Sequence, residues 1–547
     1  MDTYRALLAI ILSMLILLGW QYLFPPPKPV APLEGRQQSA AQSAAVPAQT
    51  QEQAASMPAA AQVAVNADAR EIKVETPLYK AVFFEQGGGL KSFILKNYRQ
   101  TRDKNAPPVE LITVSNPADL PLAFTLDGGA ASEMPLFKAE KTAVSLTQGD
   151  SSLILRAELA GGLRIERKLT FHADSYLIGS VATVSNSGSA PARVLPALSM
   201  SNGPFTAGAS NGLFSGPTVY VNKQLHEIPL KELAQGPLLV QGEIGWAGHM
   251  DSYFMLTLLP EKSGSGSISI SRSGEQHIRT VLSEGQKELA PGVSAVFEHE
   301  GYFGPKKLSL LKEVGYGLEE TINFGWLSPL ARPMLWLLNF FHGIFGNYGI
   351  AIILLTCAVK GAFWPVTHKG MKSMKNMQKI QPKVAKLREK FKDDPAKMNQ
   401  EMMAMYKTYK VNPFGGCLPM LIQIPFFFAL YKVLMAAIEL RHAPFMLWIN
   451  DLSAPDRLML GFEIPWLQGI PVLTLLMGGT MFLQQKMTPT TADPQQAKMM
   501  QMMPVIFTVM FVNFASGLVL YWFVSNLLSI LQQQLINRQT AAEAVPH

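Results

Sequence analysis

The chain has 547 residues, too many for one hydrophobic core, so two or more domains are expected. Hydrophobic residues make up 48% and charged residues 16%, far from the roughly 25% charge of an average soluble domain, which excludes a chain that is soluble throughout. The net charge of +7 is concentrated in one block: residues 369–410 hold twelve Lys/Arg against four Asp/Glu, whereas residues 70–318 hold 24 of each sign.

Residues 1–24 read as a transmembrane anchor. Residues 6–24 are nineteen almost wholly apolar residues, enough to span a hydrocarbon core of about 30 Å at 1.5 Å per residue. The run ends in Trp20, Tyr22, Phe24 and three prolines. A cleaved signal would place small residues there, whereas Trp and Tyr suit an interfacial belt. Residues 25–69, rich in Pro, Ala and Gln, read as a flexible linker. Over 70–325, runs such as EIKVETP, YKAVFFEQGGG, SLILRAEL, LRIERKLTFH and YLIGSVATVSNSG alternate with period two between turn signals. That pattern predicts an antiparallel β-sandwich.

Residues 326–346 are apolar with Arg332, Asn339 and His342 interspersed and two prolines near the start. They predict an amphipathic helix lying in the membrane interface. A membrane core over 347–538 follows, with spans near 348–366, 416–438, 466–485, 499–514 and 518–536, the last two forming a tight hairpin across Ala515-Ser516-Gly517. All are short, which goes with tilt or local bilayer thinning. Residues 539–547 form a tail.

The basic block, 369–411, reads as a helical hairpin. Met371, Met374, Met377, Ile380, Val384 and Leu387 recur at three- and four-residue steps. Asp394 and Pro395 suit the cap and first turn of a second helix, and Asn412-Pro413 ends it. With the N-terminal anchor the spans number six, which puts both termini on one side. The positive-inside rule makes the basic hairpin cytoplasmic. The loop 439–465, with Glu439, Asp451, Asp456 and Glu463 against Arg441 and Arg457, then lies outside together with residues 25–346.

No enzyme signature is present. The nine histidines are scattered, the two cysteines form no metal cluster, and GGGLKS at 87–92 lacks the spacing of a phosphate loop. The informative residue is Lys360, inside GIAIILLTCAVKGAFWP, because an ionisable group within a span is costly and marks function by default. Reaching the cytoplasmic headgroups from there would use most of its length, since Lys369 is about 13 Å further along a helix. No Asp or Glu lies well inside any span. Thr356, one turn earlier, with Gln423, Asn513, Ser525 and Asn526 on other spans, would instead form a wet polar pocket. Lys432 reads as snorkelling or loosely paired with Glu439. The 27 methionines suit gap-filling or surfaces that accept many apolar sequences.

YKVNPFGGCLPMLIQIPFFFALYKVL (409–434), QKMTPTTADPQQAKMMQMMPVIF (485–507) and SGLVLYWFVSNLLSILQQQLI (516–536) closely resemble the signatures of the YidC/Oxa/Albino family of membrane insertases. The anchor, linker and large outer domain resemble its Gram-negative branch. The resemblance implies a multi-pass bacterial inner-membrane protein with a periplasmic antiparallel β-super-sandwich and a five-helix insertase core. A hydrophilic groove in that core, open to the cytoplasm, carries one cation at the position of Lys360, usually Arg in this branch. Thr356, Gln423, Phe427, Tyr521 and Trp522 match groove or substrate-contact positions. The implied role is insertion and chaperoning of nascent membrane proteins, alone or with the Sec translocon and its accessory subunits. Ribosomes, signal-recognition components and anionic lipids would engage the hairpin 369–411, with no catalysis, cofactor or nucleotide. Three readings compete: a transporter or channel with an anion site at Lys360, a sugar-binding or sugar-modifying β-domain, and a nucleic-acid-binding hairpin. The sparse aromatics of the hairpin argue against the last.

Overall fold

The computed structural model describes residues 63–542, apart from 104, 131–133, 204–213, 261–263, 274–276, 392–393, 410–417, 460–468 and 488–493. The expected anchor and nearly all of the linker, the Asn412-Pro413 stop and the end of the tail lie outside the described residues.

Between Glu71 and Pro305 the alternating runs form strands. A five-stranded sheet takes the order Pro108–Glu110, Leu90–Arg99, Tyr79–Phe84, Glu71–Glu75, Ala143–Ser145, and a thirteen-stranded sheet includes Leu163–His172, Leu177–Asn186 and Ser294–Pro305 side by side. Pairing among these strands is antiparallel except between Glu71–Glu75 and Ala143–Ser145. The period-two pattern places Ile165, Leu169 and Phe171 inward and Arg164, Glu166 and Lys168 outward. Rings from the two sheets meet across the interior, Phe83 with Phe171 and Phe93 with Phe303, each pair at 5.6 Å between centroids. This is the expected sandwich. Its inward stripe includes Arg167, fully buried, which donates to the Gly88 carbonyl at 3.0 Å and the Ser180 hydroxyl at 2.8 Å. Gly88 has φ of 62°, and a Cβ there would sit 3.1 Å from the Arg167 guanidinium. Glycine therefore meets both the backbone and the packing demand.

A short helix α1 (Leu308–Val314) leads from the sandwich to α2 (Ser328–Phe345), α3 (Tyr348–Lys390), α4 (Pro395–Thr408), α5 (Leu418–Ala436), α6 (Val472–Met487), α7 (Pro494–Phe511) and α8 (Ser516–Ala542). Helix α2 is amphipathic as expected. It buries Ala331, Met334, Leu335 and Leu338 against α3 and α5, and leaves Trp336, Phe340, Ile344 and Phe345 exposed. Buried apolar side chains run without a break from the sandwich through Leu311, Leu318 and Phe324 into Leu335 and Leu430 of the helices.

Three expectations are corrected. The apolar run near 348–366 and the first part of the basic block are not separate helices; α3 is one helix of 43 residues through both. Two residues past Pro365, Thr367 Oγ1 back-bonds to the Phe363 carbonyl of its own helix at 3.0 Å. The span near 466–485 starts later, at Val472, where the Asp456 carboxylate accepts from the backbone N–H groups of Leu473 and Thr474 and so caps α6. Helices α7 and α8 turn at 512–515 and do not form a tight pair: α6 lies against both, while α7 and α8 meet mainly through Phe507, Phe511 and Trp522. Among the described residues one helix, over Tyr348–Met377, is long and apolar enough to cross a bilayer on length and composition; Gln423–Ala436 and Gln501–Phe511 are shorter apolar stretches.

The hairpin expectation holds at its turn. Asp394 accepts from Lys397 N at 3.0 Å with Pro395 in the first turn of α4, and Met377 and Ile380 of α3 pack against Tyr406 of α4.

Candidate functional site

Lys360 sits where α3, α5 and α8 converge. Its ammonium donates to Gln423 Oε1 of α5 at 3.2 Å and to Ser529 Oγ of α8 at 2.8 Å. Gln423 in turn donates from Nε2 to Ser525 Oγ at 2.8 Å, and Ser529 Oγ donates to the Ser525 carbonyl at 2.9 Å. Lys360 is half-buried, and no carboxylate pairs with it among the described residues. Its charge is thus met by neutral oxygens on two other helices. Such a ring of dipoles holds a cation in place without cancelling its charge.

The polar contacts continue along the α3–α8 seam. Four residues past Ser525 comes Ser529, and three further Gln532, so all three share one face of α8. Each is at most 5% exposed, which is unusual for polar side chains and shows that they face protein. Gln532 of α8 donates from Nε2 to Thr367 Oγ1 of α3 at 2.9 Å. Further along, Lys375 donates to the Asn537 carbonyl at 3.1 Å. The seam therefore runs from Lys360 towards the basic hairpin.

The other expected residues divide. Thr356 is fully buried and donates to the Ile352 carbonyl at 2.6 Å, so it back-bonds to its own helix and not to Lys360. Tyr521 is 2% exposed, and its side chain hydrogen-bonds Gln423, the partner of Lys360. Phe427 and Trp522 meet edge to face at 4.8 Å and cluster with Phe507 and Phe511, an aromatic group distinct from the hydrogen bonds of Lys360. Two pocket assignments are corrected. Asn513 accepts from Arg457 at 2.8 Å in the α7–α8 turn, and Asn526 turns to Thr480 of α6 at 3.3 Å. A residue's polarity says nothing of which helix face it occupies until the bundle is assembled. Lys432 makes no ion pair with Glu439; it acts on Glu227 of the sandwich, and Glu439 has Lys307 as its charged neighbour. Reasoning from sequence passed over Ser529, Gln532 and Thr367, although the four- and three-residue steps from Ser525 carried the signal.

The loop after α5 touches the β-domain. Arg441 donates to the Gln100 carbonyl at 3.1 Å and lies over the rings of Tyr253 and Phe254. The β-domain and this loop therefore share one end of the helices, and the basic hairpin continues α3 away from that end.

The model of the 60Kd inner membrane protein family matches residues 340–543, and that of the YidC periplasmic domain matches residues 71–337. The chain is 42% identical over 550 residues to the membrane protein insertase YidC of Pelobacter propionicus, covering 98% of this chain and 99% of the relative. It is 42% identical over 556 residues to the protein of the same name from Syntrophus aciditrophicus, with the same coverage. A crystal structure of an active YidC insertase with its first transmembrane domain resolved is 19% identical, with a TM-score of 0.35, covering 86% of this chain and 93% of that one.

Proposed function

The chain belongs to the YidC family of membrane protein insertases, and from that premise we propose that it inserts and folds membrane proteins in a bacterial inner membrane through the seam around Lys360. The observation that carries this reading is a half-buried ammonium held by Gln423 and Ser529 with no carboxylate among the described residues. A hydrophilic segment crossing the bilayer pays for its backbone groups and charges in hydrocarbon. A polar seam from the hairpin side shortens that path, and Lys360 attracts acidic residues in the segment before it is released outward. The exposed apolar surface of α5, α6 and α7, including Phe428, Leu476, Phe482, Val505 and Val509, faces lipid and lets the accompanying apolar helix leave sideways. The aromatic group of Phe427 and Trp522 borders that exit.

In this reading both termini and the hairpin 369–411 are cytoplasmic, and the β-domain is periplasmic. The hairpin meets ribosomes, signal-recognition components and anionic lipids, and the Sec translocon cooperates on some substrates. The work is done by binding and solvation, with no nucleotide hydrolysed by the chain.

The test is insertion of a single-spanning protein with an acidic outer tail into vesicles holding Lys360→Arg, Lys360→Ala or Lys360→Glu. The arginine variant is expected to work, the alanine variant to insert less of this substrate, and the glutamate variant least. Equal insertion by all three would refute the electrostatic role. Solute flux without insertion would favour a transporter.

A further inference from the structure

One cavity lies far from Lys360. It has a volume of about 410 Å³ and lies at the junction of the β-domain with the helices. Its walls carry Lys96, Arg99 and Arg102 from one sandwich segment, Lys307 from the start of α1, and Arg441 and His442 from the loop after α5. The one carboxylate in the lining is Glu439. Burial raises the pKa of that carboxyl, with Lys307 acting the other way.

Some of these cations are committed. Lys96 pairs with Glu75 at 2.8 Å, and Arg441 is fixed by the Gln100 carbonyl and two aromatic rings. Among the described residues Arg102, Lys307 and Arg441 form no close ion pair, although Lys307 lies near Glu439 and Arg441 feels Asp251 and Asp451. Three chain segments far apart in sequence thus bring an excess of positive charge to one concave surface, an arrangement that costs energy through like-charge repulsion unless an anion occupies it.

The position of the cavity identifies the anion. Tyr348, the first residue of α3, lines it, and His342 near the end of α2 stacks on Tyr348 at 3.7 Å. Beside this wall, α2 presents Trp336, Phe340, Ile344 and Phe345 to the surroundings. An interfacial helix with an outward aromatic row marks headgroup depth. We propose that this cavity holds the phosphate-bearing headgroup of an anionic phospholipid from the leaflet on the β-domain side, bound chiefly by Arg102, Lys307 and Arg441. The lipid would tie the β-domain to the helices at their shared end.

The test uses the full chain in neutral detergent micelles, titrated with short-chain phosphatidylglycerol or phosphatidylcholine and read by native mass spectrometry. Phosphatidylglycerol is expected to bind in preference, less so at high salt. The double variant Arg102→Gln/Lys307→Gln is expected to weaken it about thirtyfold while leaving phosphatidylcholine unchanged, from about 1 kcal/mol per cation near a membrane surface. The basic hairpin is intact in both proteins, so its lipid binding cancels. Lys307→Arg should retain binding. Should the double variant unfold early, Arg102→Gln alone, on an exposed side chain, should still weaken binding about fivefold. Undiminished phosphatidylglycerol binding by the variants overturns the proposal. So does displacement of the lipid by inorganic phosphate or by an acidic peptide at matching concentration, which would make this a free-phosphate or peptide site.

Discussion

Single buried charges set how this molecule responds to pH. Asp251 is 1% exposed, and burial raises its carboxyl to about 6, although it accepts from Tyr253 N and Phe254 N. His249, two residues away and also buried, is lowered to about 4. The two act in opposite directions. A histidine lowered in the folded state contributes stability above its unfolded pKa of 6.5 and loses it as pH falls, because the unfolded chain takes the proton first. A carboxyl raised to about 6 from 3.8 takes its proton first in the folded state, so folding gains as pH falls through that window. Asp251→Asn keeps the acceptor and deletes the compensating gain. Thermal unfolding of the full chain should therefore fall more steeply between pH 7 and 5 in the variant than in the parent, by about 1 kcal/mol; parallel profiles would show that Asp251 is ionised at both pH values. Lys360 was legible from sequence because a lone cation in an apolar run is conspicuous. Asp251 and Arg167 were not, because one charge among alternating residues looks like any outward-facing position until the register is known.

At the scale of elements, helix contacts depend on where side chains are missing. A Cβ at Gly478 of α6 would fall 2.1 Å from Thr508 Oγ1 and 3.1 Å from its Cβ on α7, whereas one at the adjacent Gly479 meets nothing within 4 Å. Threonine is stiff at χ1 and its hydroxyl is bound to the Pro504 carbonyl, so it yields poorly. Gly478→Leu should separate the two helices and cost about 1–3 kcal/mol, while Gly479→Leu should be neutral or slightly stabilising through helix propensity. Unfolding temperatures in micelles would check this, and equal temperatures for the two variants would contradict the close packing. Element types were legible in the sequence: the strands, the amphipathic α2 and the capped turn into α4 all follow from periodicity and caps. Element ends and neighbours were less so. The apolar run near 348–366 and the basic block read as separate helices because composition changes between them, yet α3 runs through both. The expected α7–α8 hairpin failed because the short connection said nothing about α6 lying against both.

For the whole molecule the decisive fact is that the β-domain and the Lys360 seam lie apart. The β-domain reaches the helices through Tyr98, Gln100, Tyr253 and Phe254 against the loop after α5. From Tyr348 at that end to Lys360 is about 18 Å along α3 at 1.5 Å per residue, and the seam then leads away from the β-domain. Helix α2 is different. Although it adjoins the β-domain in sequence, it buries Ala331, Met334, Leu335 and Leu338 against α3 and α5, two of the three helices that meet at Lys360. Two deletions that differ only in their end point separate these roles. Removing residues 71–305 should leave most insertion of the acidic-tailed substrate, since no group of the seam loses a partner. Extending the deletion through 345 strips the packing from α3 and α5 and should abolish it. The loss has the size of a core truncation, about 2–5 kcal/mol for each buried Leu or Met removed, and is far beyond what repacking can absorb. Loss of insertion in the shorter deletion as severe as in Lys360→Glu would show that the β-domain itself handles the translocated segment, and would move the working site from the seam to the outer end.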